Sequence, residues 1–377
     1  MIYFDNGATA KPCDEAIKAA NQALEAEWGN PSSLHAMGVR AEKMVNDARE
    51  AIASVINAEP GEIIFTSSAT ESNNTAVFSA ALTRGKRRKK IITSAFEHPS
   101  VSQPVKRLEE KGFEVVRIYP DKTGRIDPRK VLSQIDSNTL LVSLMLVNNE
   151  TGAITDVSKI FKAVKARDKE IYTHTDAVQG FLKMNINSKT MYADMISISG
   201  HKAYAPKGIG ALYVKKGVNL LPFIVGGGQE KGKRSGTEST VLISALGAAV
   251  NAHKDDISER LERVSALRKH LKEKIKGMDG VYLNEFDNAL PYINSLTVER
   301  YKSETLLHFL EEREIYVSSG SACSRGKKSE GLKAFGYNDS QLDSTLRISF
   351  CASNTPEQID ELVAALKDAR ERLVKIR

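Results

Sequence analysis

Lys202 stands in the run Ser197-Ile-Ser-Gly-His-Lys-Ala-Tyr-Ala-Pro-Lys-Gly-Ile-Gly210, after an apolar stretch and before a glycine-rich turn. An amine there can attack a carbonyl only where its surroundings let it shed a proton. Taken alone, such a lysine reads as an exposed loop residue. Its company argues otherwise. Asp176, in His174-Thr-Asp-Ala-Val-Gln179, closes another apolar run 26 residues earlier. A carboxylate at a strand end either caps a helix or pairs with a protonated ring nitrogen. Thr66-Ser-Ser-Ala-Thr-Glu-Ser-Asn-Asn74 is a hydroxyl-rich turn from strand to helix. The free amides of Ala69 and Thr70, with the helix dipole behind them, suit a phosphate; capping by Ser68 or Thr70 is the plainer use.

Lysine, carboxylate and anion cradle are the groups that hold an aromatic aldehyde bearing a ring nitrogen and a phosphate, and pyridoxal 5'-phosphate is such a molecule. On this reading Lys202 carries the cofactor as a Schiff base and Asp176 keeps the ring an electron sink. Gln179 faces the ring's phenolic oxygen. His98, in Phe96-Glu-His, stacks on the ring, although a lone histidine is more often structural. Asn148-Asn-Glu-Thr-Gly152 brings amides to the same edge, or is simply a turn.

These residues need a scaffold that gathers strand ends. Glu62–Thr66, Ile91–Ser94, Glu114–Ile118, Leu140–Met145, Ile171–Thr175, Met195–Ile198 and Ala211–Val214 read as strands. Helical stretches near 99–112, 128–135 and 156–166 separate them, and another helix opens near Thr70. Alternation of this kind predicts a mostly parallel sheet covered on both faces, with ligands at the carboxyl ends of its strands. Beyond residue 255 the pattern changes to a helix near 258–276, strands at 291–298 and 344–350, and a helix near 303–313. The last helix places Ile359, Leu362, Val363, Leu366 and Leu373 on one face. The expectation is an α/β protein: a large, mostly parallel, seven-stranded-type domain over 15–255, and a smaller α+β domain from 1–14 and 256–377.

Of the 377 residues 41% are apolar and 27% charged, which suits a globular protein with a sizeable core. The longest apolar run is too short for a membrane span. The amino terminus lacks a basic stretch followed by an apolar core, predicting a cytoplasmic protein without a signal peptide. The net charge of +7 invites a nucleic-acid reading, but the basic run Arg84–Lys90 sits between a helix and a strand and reads as a solvated loop. Three cysteines, Cys13, Cys323 and Cys351, are too few and too odd for a disulfide framework. No Cys/His cluster has metal-ligand spacing. Cys13 and Cys351 read as structural. Cys323 lies in a Gly/Ser-rich run from Ser318 to Gly326, which predicts a loop able to travel, and Arg325, Lys327 and Lys328 favour its thiolate.

Ten motifs in order carry a resemblance. They are Tyr3–Thr9, Gly29–Ser33, Thr66–Asn74, Glu97-His98, Asn148–Gly152, Asp176–Gln179, Ser199–Lys202, Gly226–Glu230, Arg234–Thr237 and Ser319–Cys323. The chain resembles the cysteine desulfurases, in the class-V aminotransferase family of fold type I pyridoxal-phosphate enzymes. The resemblance implies that Ala69, Thr70, Ser199 and His201 hold the phosphate, with Thr237 reaching across from a second subunit of a homodimer. It implies Asn149 and Gln179 on the ring substituents and His98 as a stacking imidazole that also moves protons. Arg347 clamps the substrate carboxylate, with Asn149 beside the substrate. Lys202 takes the α-proton of L-cysteine, and Cys323 attacks its sulfur. The products are L-alanine and a persulfide on Cys323, passed to an acceptor such as an iron–sulfur scaffold or a thiolation enzyme. A transient iron–sulfur contact through Cys323 belongs to the same picture.

The chain departs from the family at Ser68, where glycine is usual, after Cys323, where the run is shorter, and at Phe350-Cys-Ala-Ser353. Two other readings remain open at this point. One is a selenocysteine lyase or another β-eliminating lyase on the same scaffold. The other is a catalytically poor assembly or docking protein that keeps the fold.

Overall fold

A computed structural model describes residues 1–319 and 328–375. Its strands are β1 (Ile2–Tyr3), β2 (Ile63–Thr66), β3 (Lys90–Ser94), β4 (Glu114–Ile118), β5 (Thr139–Ser143), β6 (Tyr172–Asp176), β7 (Met195–Ser199), β8 (Gly210–Val214), β9 (Val281–Leu283), β10 (Ile293–Val298), β11 (Ile315–Tyr316), β12 (Ser318–Ser319) and β13 (Thr345–Ser349). Seven of them form one sheet in the order β2-β8-β7-β6-β5-β3-β4. Every neighbour pair from β7 to β4 is parallel, and β8 runs against both β7 and β2. The expected α/β architecture is the one observed.

The central strands are buried along their whole length, so alternation of polar and apolar residues is not available to mark them. Polar residues on them pair with one another instead. His174 on β6 bridges Ser143 Oγ of β5 at 2.8 Å and Ser197 Oγ of β7 at 3.0 Å. Burial pushes its pKa down to about 3, so this imidazole is a neutral cross-strand strut.

Helix Ala69–Arg84 opens directly after β2, and its N-cap Ser68 accepts from the Glu71 amide at 3.3 Å. Helices Asp14–Glu25 and Ala36–Val55 pack against Thr240–His253, none of which the apolar pattern announced. The 36–55 and 240–253 helices approach closely at Gly247, where a Cβ would lie 2.6 Å from Ala48 Cβ.

A four-stranded antiparallel sheet, β12-β13-β10-β9, carries the later part of the chain. β1 pairs in parallel with β11, and Asp5 bridges to Ser349, which lays the amino terminus against β13. Helix Pro356–Arg372 buries Ile359, Leu362, Val363 and Leu366, as its spacing predicts; Leu373 follows the last turn and packs on the core from just outside it.

Candidate functional site

Five turns leave the carboxyl ends of β2, β3, β5, β6 and β7, and they surround one cavity of about 450 Å³. Its walls include Ala69, Thr70, His98, Asn149, Asp176, Gln179, Ser199, His201, Lys202 and Arg347. Ten of the twelve residues singled out from the sequence thus meet at one place.

Asp176 ends β6. Its Oδ1 accepts from the Val178 amide at 3.0 Å and its Oδ2 from Asn73 Nδ2 at 2.7 Å. The first bond is the Asx turn that a strand-end aspartate makes for itself, and the second fixes the carboxylate from the neighbouring helix. His98 caps helix Pro99–Glu109, its Nδ1 lying 2.8 Å from Ser100 Oγ and 3.2 Å from the Ser100 amide. The structural role expected of a lone histidine and a place in the cavity wall are therefore held by one side chain. Burial and the charges of Lys202 and Arg347 lower its proton affinity, against the pull of Asp176.

Lys202 follows β7 in a short 3-10 turn. Its Nζ donates to the Gly7 carbonyl and, at 2.6 Å, to that of Ala8. The amino-terminal segment thus lies across the lysine. His201 sits beside it, its Nδ1 3.3 Å from Thr9 Oγ1; burial, then the nearby lysines, bring its pKa down to about 4. A neutral imidazole remains over the ordinary pH range.

The anion cradle is the start of helix Ala69–Arg84. Ser68 has an extended backbone, φ −175°, which any residue adopts, so serine in place of glycine there costs no strain. Glu71 binds the Ser67 amide at 2.8 Å and Arg234 Nε at 2.9 Å, and these donors hold its carboxyl below the usual range despite burial. Gly210 lies behind the cradle, where a Cβ would stand 2.7 Å from the Ser68 carbonyl carbon and 2.9 Å from the Ala69 nitrogen.

Arg347 comes from the other sheet. On β13 it donates to Asn149 O at 3.1 Å, Asp5 Oδ1 at 2.8 Å and Ser318 Oγ at 3.1 Å. Its buried Nε has no partner among the described residues. A guanidinium held on three sides, with Nε–H and one Nη1–H left over, is suited to a carboxylate.

Residues 2–362 match the model of the class-V aminotransferase family. The chain belongs to the class-V aminotransferase family. A "NifS/IcsS protein homolog" of Lactobacillus delbrueckii subsp. bulgaricus is 39% identical to this family member, covering 100% of this chain and 99% of the relative. A "Cysteine desulfurase" of Nostoc sp. is 37% identical, over 99% of this chain and 94% of the relative. A solved "NifS-like protein" superposes with a TM-score of 0.94 at 34% identity, covering 99% of this chain and 100% of that one. The resemblance drawn from ten motifs is borne out along the whole length.

Of the two sequence-derived residues not among those walls, one is described and the other is not. Thr237 is exposed on the segment after Arg234 and does not line the cavity. Cys323 falls outside the described residues, as do Arg325 and Lys327. Lys328 is described: its Nζ lies 3.2 Å from Asp339 Oδ1 and 3.3 Å from Asp343 Oδ2. The described residues on either side, Ser318 and Ser329, both have contacts at or next to the cavity wall. Ser318 lines it, and Ser329 Oγ donates to Glu150 Oε2 at 2.8 Å, next to Asn149.

Sequence reasoning gave no separate role to Asp5, Asn73 or Glu97, though all three lay inside quoted motifs, and it passed over Lys183. Glu97 is buried, accepts from Ser94 Oγ at 2.5 Å and the Met145 amide at 2.8 Å, and its Oε2 has no partner among the described residues. Lys183 had one legible signal, a single charge within Gly180-Phe-Leu-Lys-Met184.

Three of the six cations in the basic run Arg84–Lys90 are paired with carboxylates. Arg84 pairs with Glu170 at 2.5 Å, Arg88 with Asp168 at 2.6 Å, and Lys90 with Asp136 at 2.5 Å. Among the described residues no helix is long and apolar enough to cross a membrane, and no cluster of His, Cys, Asp and Glu could hold a metal ion.

Proposed function

We propose that this chain is a pyridoxal-phosphate-dependent cysteine desulfurase that converts L-cysteine to L-alanine and gathers the sulfur as a persulfide on Cys323. The observation that carries the reading is the convergence of the Lys202 amine, the Asp176 carboxylate, the Ala69–Thr70 helix start and the Arg347 guanidinium on one cavity. The cavity has the volume of an ordinary small-molecule site. It also offers what the cofactor lacks: an acceptor for its ring nitrogen, amides for its phosphate, and an amine for its aldehyde. When bound, the cofactor supplies an electron sink that lets the α-proton of an amino acid leave.

The rest is the work of the chain. Ala69 and Thr70 amides, Ser199 and His201 would hold the phosphate, with Thr237 of a second subunit completing that end in a homodimer. Asp176 would pair with the ring nitrogen, His98 would stack on the ring, and Asn149 and Gln179 would meet its substituents. Arg347 orients the substrate carboxylate through its spare donors, while Asp5 and Ser318 keep the guanidinium from turning. Lys202 Nζ takes the α-proton. Cys323 thiolate attacks the substrate sulfur, so that an S–S bond forms as the Cβ–S bond breaks and its electron pair returns to carbon. A proton delivered to that carbon and a second returned to the α-carbon leave alanine, with His98 placed to move protons. Cys323 follows Ser319 by four residues, and four residues of chain span at most ~14 Å.

The division into a large domain over 15–255 and a smaller one from 1–14 and 256–377 is part of the same proposal, as is a cytoplasmic location. The acceptor is a protein with a nucleophilic thiol, of the kind that builds iron–sulfur clusters or thiolates other molecules. The test is alanine and sulfide release from cysteine by wild type and Cys323→Ala. The variant is expected to retain the yellow bound cofactor and to lose sulfur release. Sulfide release at the wild-type rate would sink the persulfide step.

A further inference from the structure

Gln179 is fixed at both ends of its amide. Its Nε2 donates to the Gly7 carbonyl at 3.0 Å, and its Oε1 accepts from Lys183 Nζ at 3.2 Å. The same Gly7 carbonyl receives Lys202 Nζ. Lys183, Gln179, Gly7 and Lys202 therefore form one run of hydrogen bonds, from a lysine outside the cavity to the lysine within it. Lys183 is only 3% exposed and lies above the Tyr292 ring, 5.8 Å from its centroid.

The two ends of a side-chain amide have nearly the same shape and opposite polarity, so partners decide which way it faces. The Gly7 carbonyl is a poor sole determinant, because it is shared with Lys202, whose amine is the reacting group. The Lys183 donor lies outside the reacting set and stays in place throughout.

We propose that Lys183 is a positioning residue: by donating to Gln179 Oε1 it keeps the amide nitrogen toward Gly7 and the cavity, so that Gln179 offers the bound ring's oxygen substituent a donor rather than an acceptor. The inference rests on the cofactor reading above. Burial, then the charges of Lys202 and Arg347, bring Lys183 down to about 7, with Cys351 opposing. Its amine donates in either protonation state, so the orientation does not depend on its charge. The titratable and charged groups around it are Lys202 and His201 from the turn after β7, Arg347 and Cys351 from β13 and its exit, and Tyr292 before β10.

The readout is the pH midpoint of the visible absorption band of bound pyridoxal phosphate, which reports the ring's ionisation and needs no turnover. Lys183→Met keeps the side chain's volume and removes the donor. Its midpoint is expected to rise by about one pH unit, a tenfold change in proton affinity, because an amide free to turn its oxygen inward disfavours the ionised ring oxygen. The same substitution in a Gln179→Leu background is expected to move the midpoint little, since the two residues act as one unit. An unmoved midpoint in Lys183→Met overturns the proposal. So does an equal shift in the Gln179→Leu background, which would assign the effect to charge alone. Should Lys183→Met fail to hold the cofactor, Lys183→Gln keeps a donor at the site and is expected to keep the wild-type midpoint; a displaced midpoint there overturns the proposal as well. Absence of any band in the wild type would instead refute the cofactor reading itself.

Discussion

Asn73 Nδ2 stands 2.7 Å from Asp176 Oδ2 and 2.8 Å from Ser100 Oγ, and Ser100 Oγ is in turn 2.8 Å from His98 Nδ1. One amide therefore ties the carboxylate at the end of β6 to the imidazole that follows β3. Asn73→Ala removes that tie and leaves Asp176 with one protein donor. A lost bond to a charged group costs on the order of 1.5–3 kcal/mol, so cofactor affinity should fall at least tenfold. Fluorescence titration of the stripped enzyme with pyridoxal phosphate measures it.

Arg347→Lys is expected to raise KM for cysteine about tenfold or more while leaving cofactor binding close to wild type. An ammonium keeps the charge but not the planar fork that holds Asn149, Asp5 and Ser318 while sparing two donors. Steady-state kinetics beside a cofactor titration separate the two effects. Arg347→Ala should also lower the melting temperature, because it strands the mostly buried Asp5 carboxylate.

Gly210→Ala places a methyl group against the backbone of Ser68 and Ala69. Both are main-chain atoms that cannot swing aside, so the cradle itself must shift. The expected outcome is a loss of about tenfold or more in affinity for pyridoxal phosphate, and little change for pyridoxal, which lacks the phosphate. Equal losses for both ligands would refute the cradle.

Glu97 gives a pH signature in stability. Burial drives its pKa up from 4.5 to about 8, with Asp176 adding to the rise and the Ser94 and Met145 bonds resisting it. The folded state holds this proton more tightly than the unfolded chain. Its contribution to stability is therefore complete below about 4.5 and disappears as pH climbs through about 8. Each unit of separation is worth about 1.4 kcal/mol, so the effect is large even if discounted. Glu97→Gln copies the neutral carboxyl. Wild type should lose stability relative to that variant between these limits, by thermal or denaturant melts across pH, and the difference should level off above them.

Much of the large sheet was legible because buried parallel strands read as short apolar runs with turn residues after them. Glu114–Ile118 was found to the residue. The strand His174 occupies was found too, although three polar side chains had to pair across strands before it could be buried. The helices at 14–25, 36–55 and 240–253 escaped. The first two bury mostly alanine, so few large apolar residues mark their inward faces, and the third is apolar nearly all round, so no helical period stands out in it. The cavity residues were legible as types at strand ends. Their partners were not. Asn73, Asp5 and Lys183 act through contacts with residues 103, 342 and 4 positions away, and nothing in local spacing announces which buried polar residue holds which catalytic one.

Asp5 and Arg347 meet across 342 positions of chain. During synthesis on a ribosome, all seven strands of the large sheet emerge long before β13 does. A nascent chain can thus shape the sheet and its strand-end turns before the Arg347 guanidinium is there to close on Asp5, so the cavity wall that β13 supplies is added after the rest.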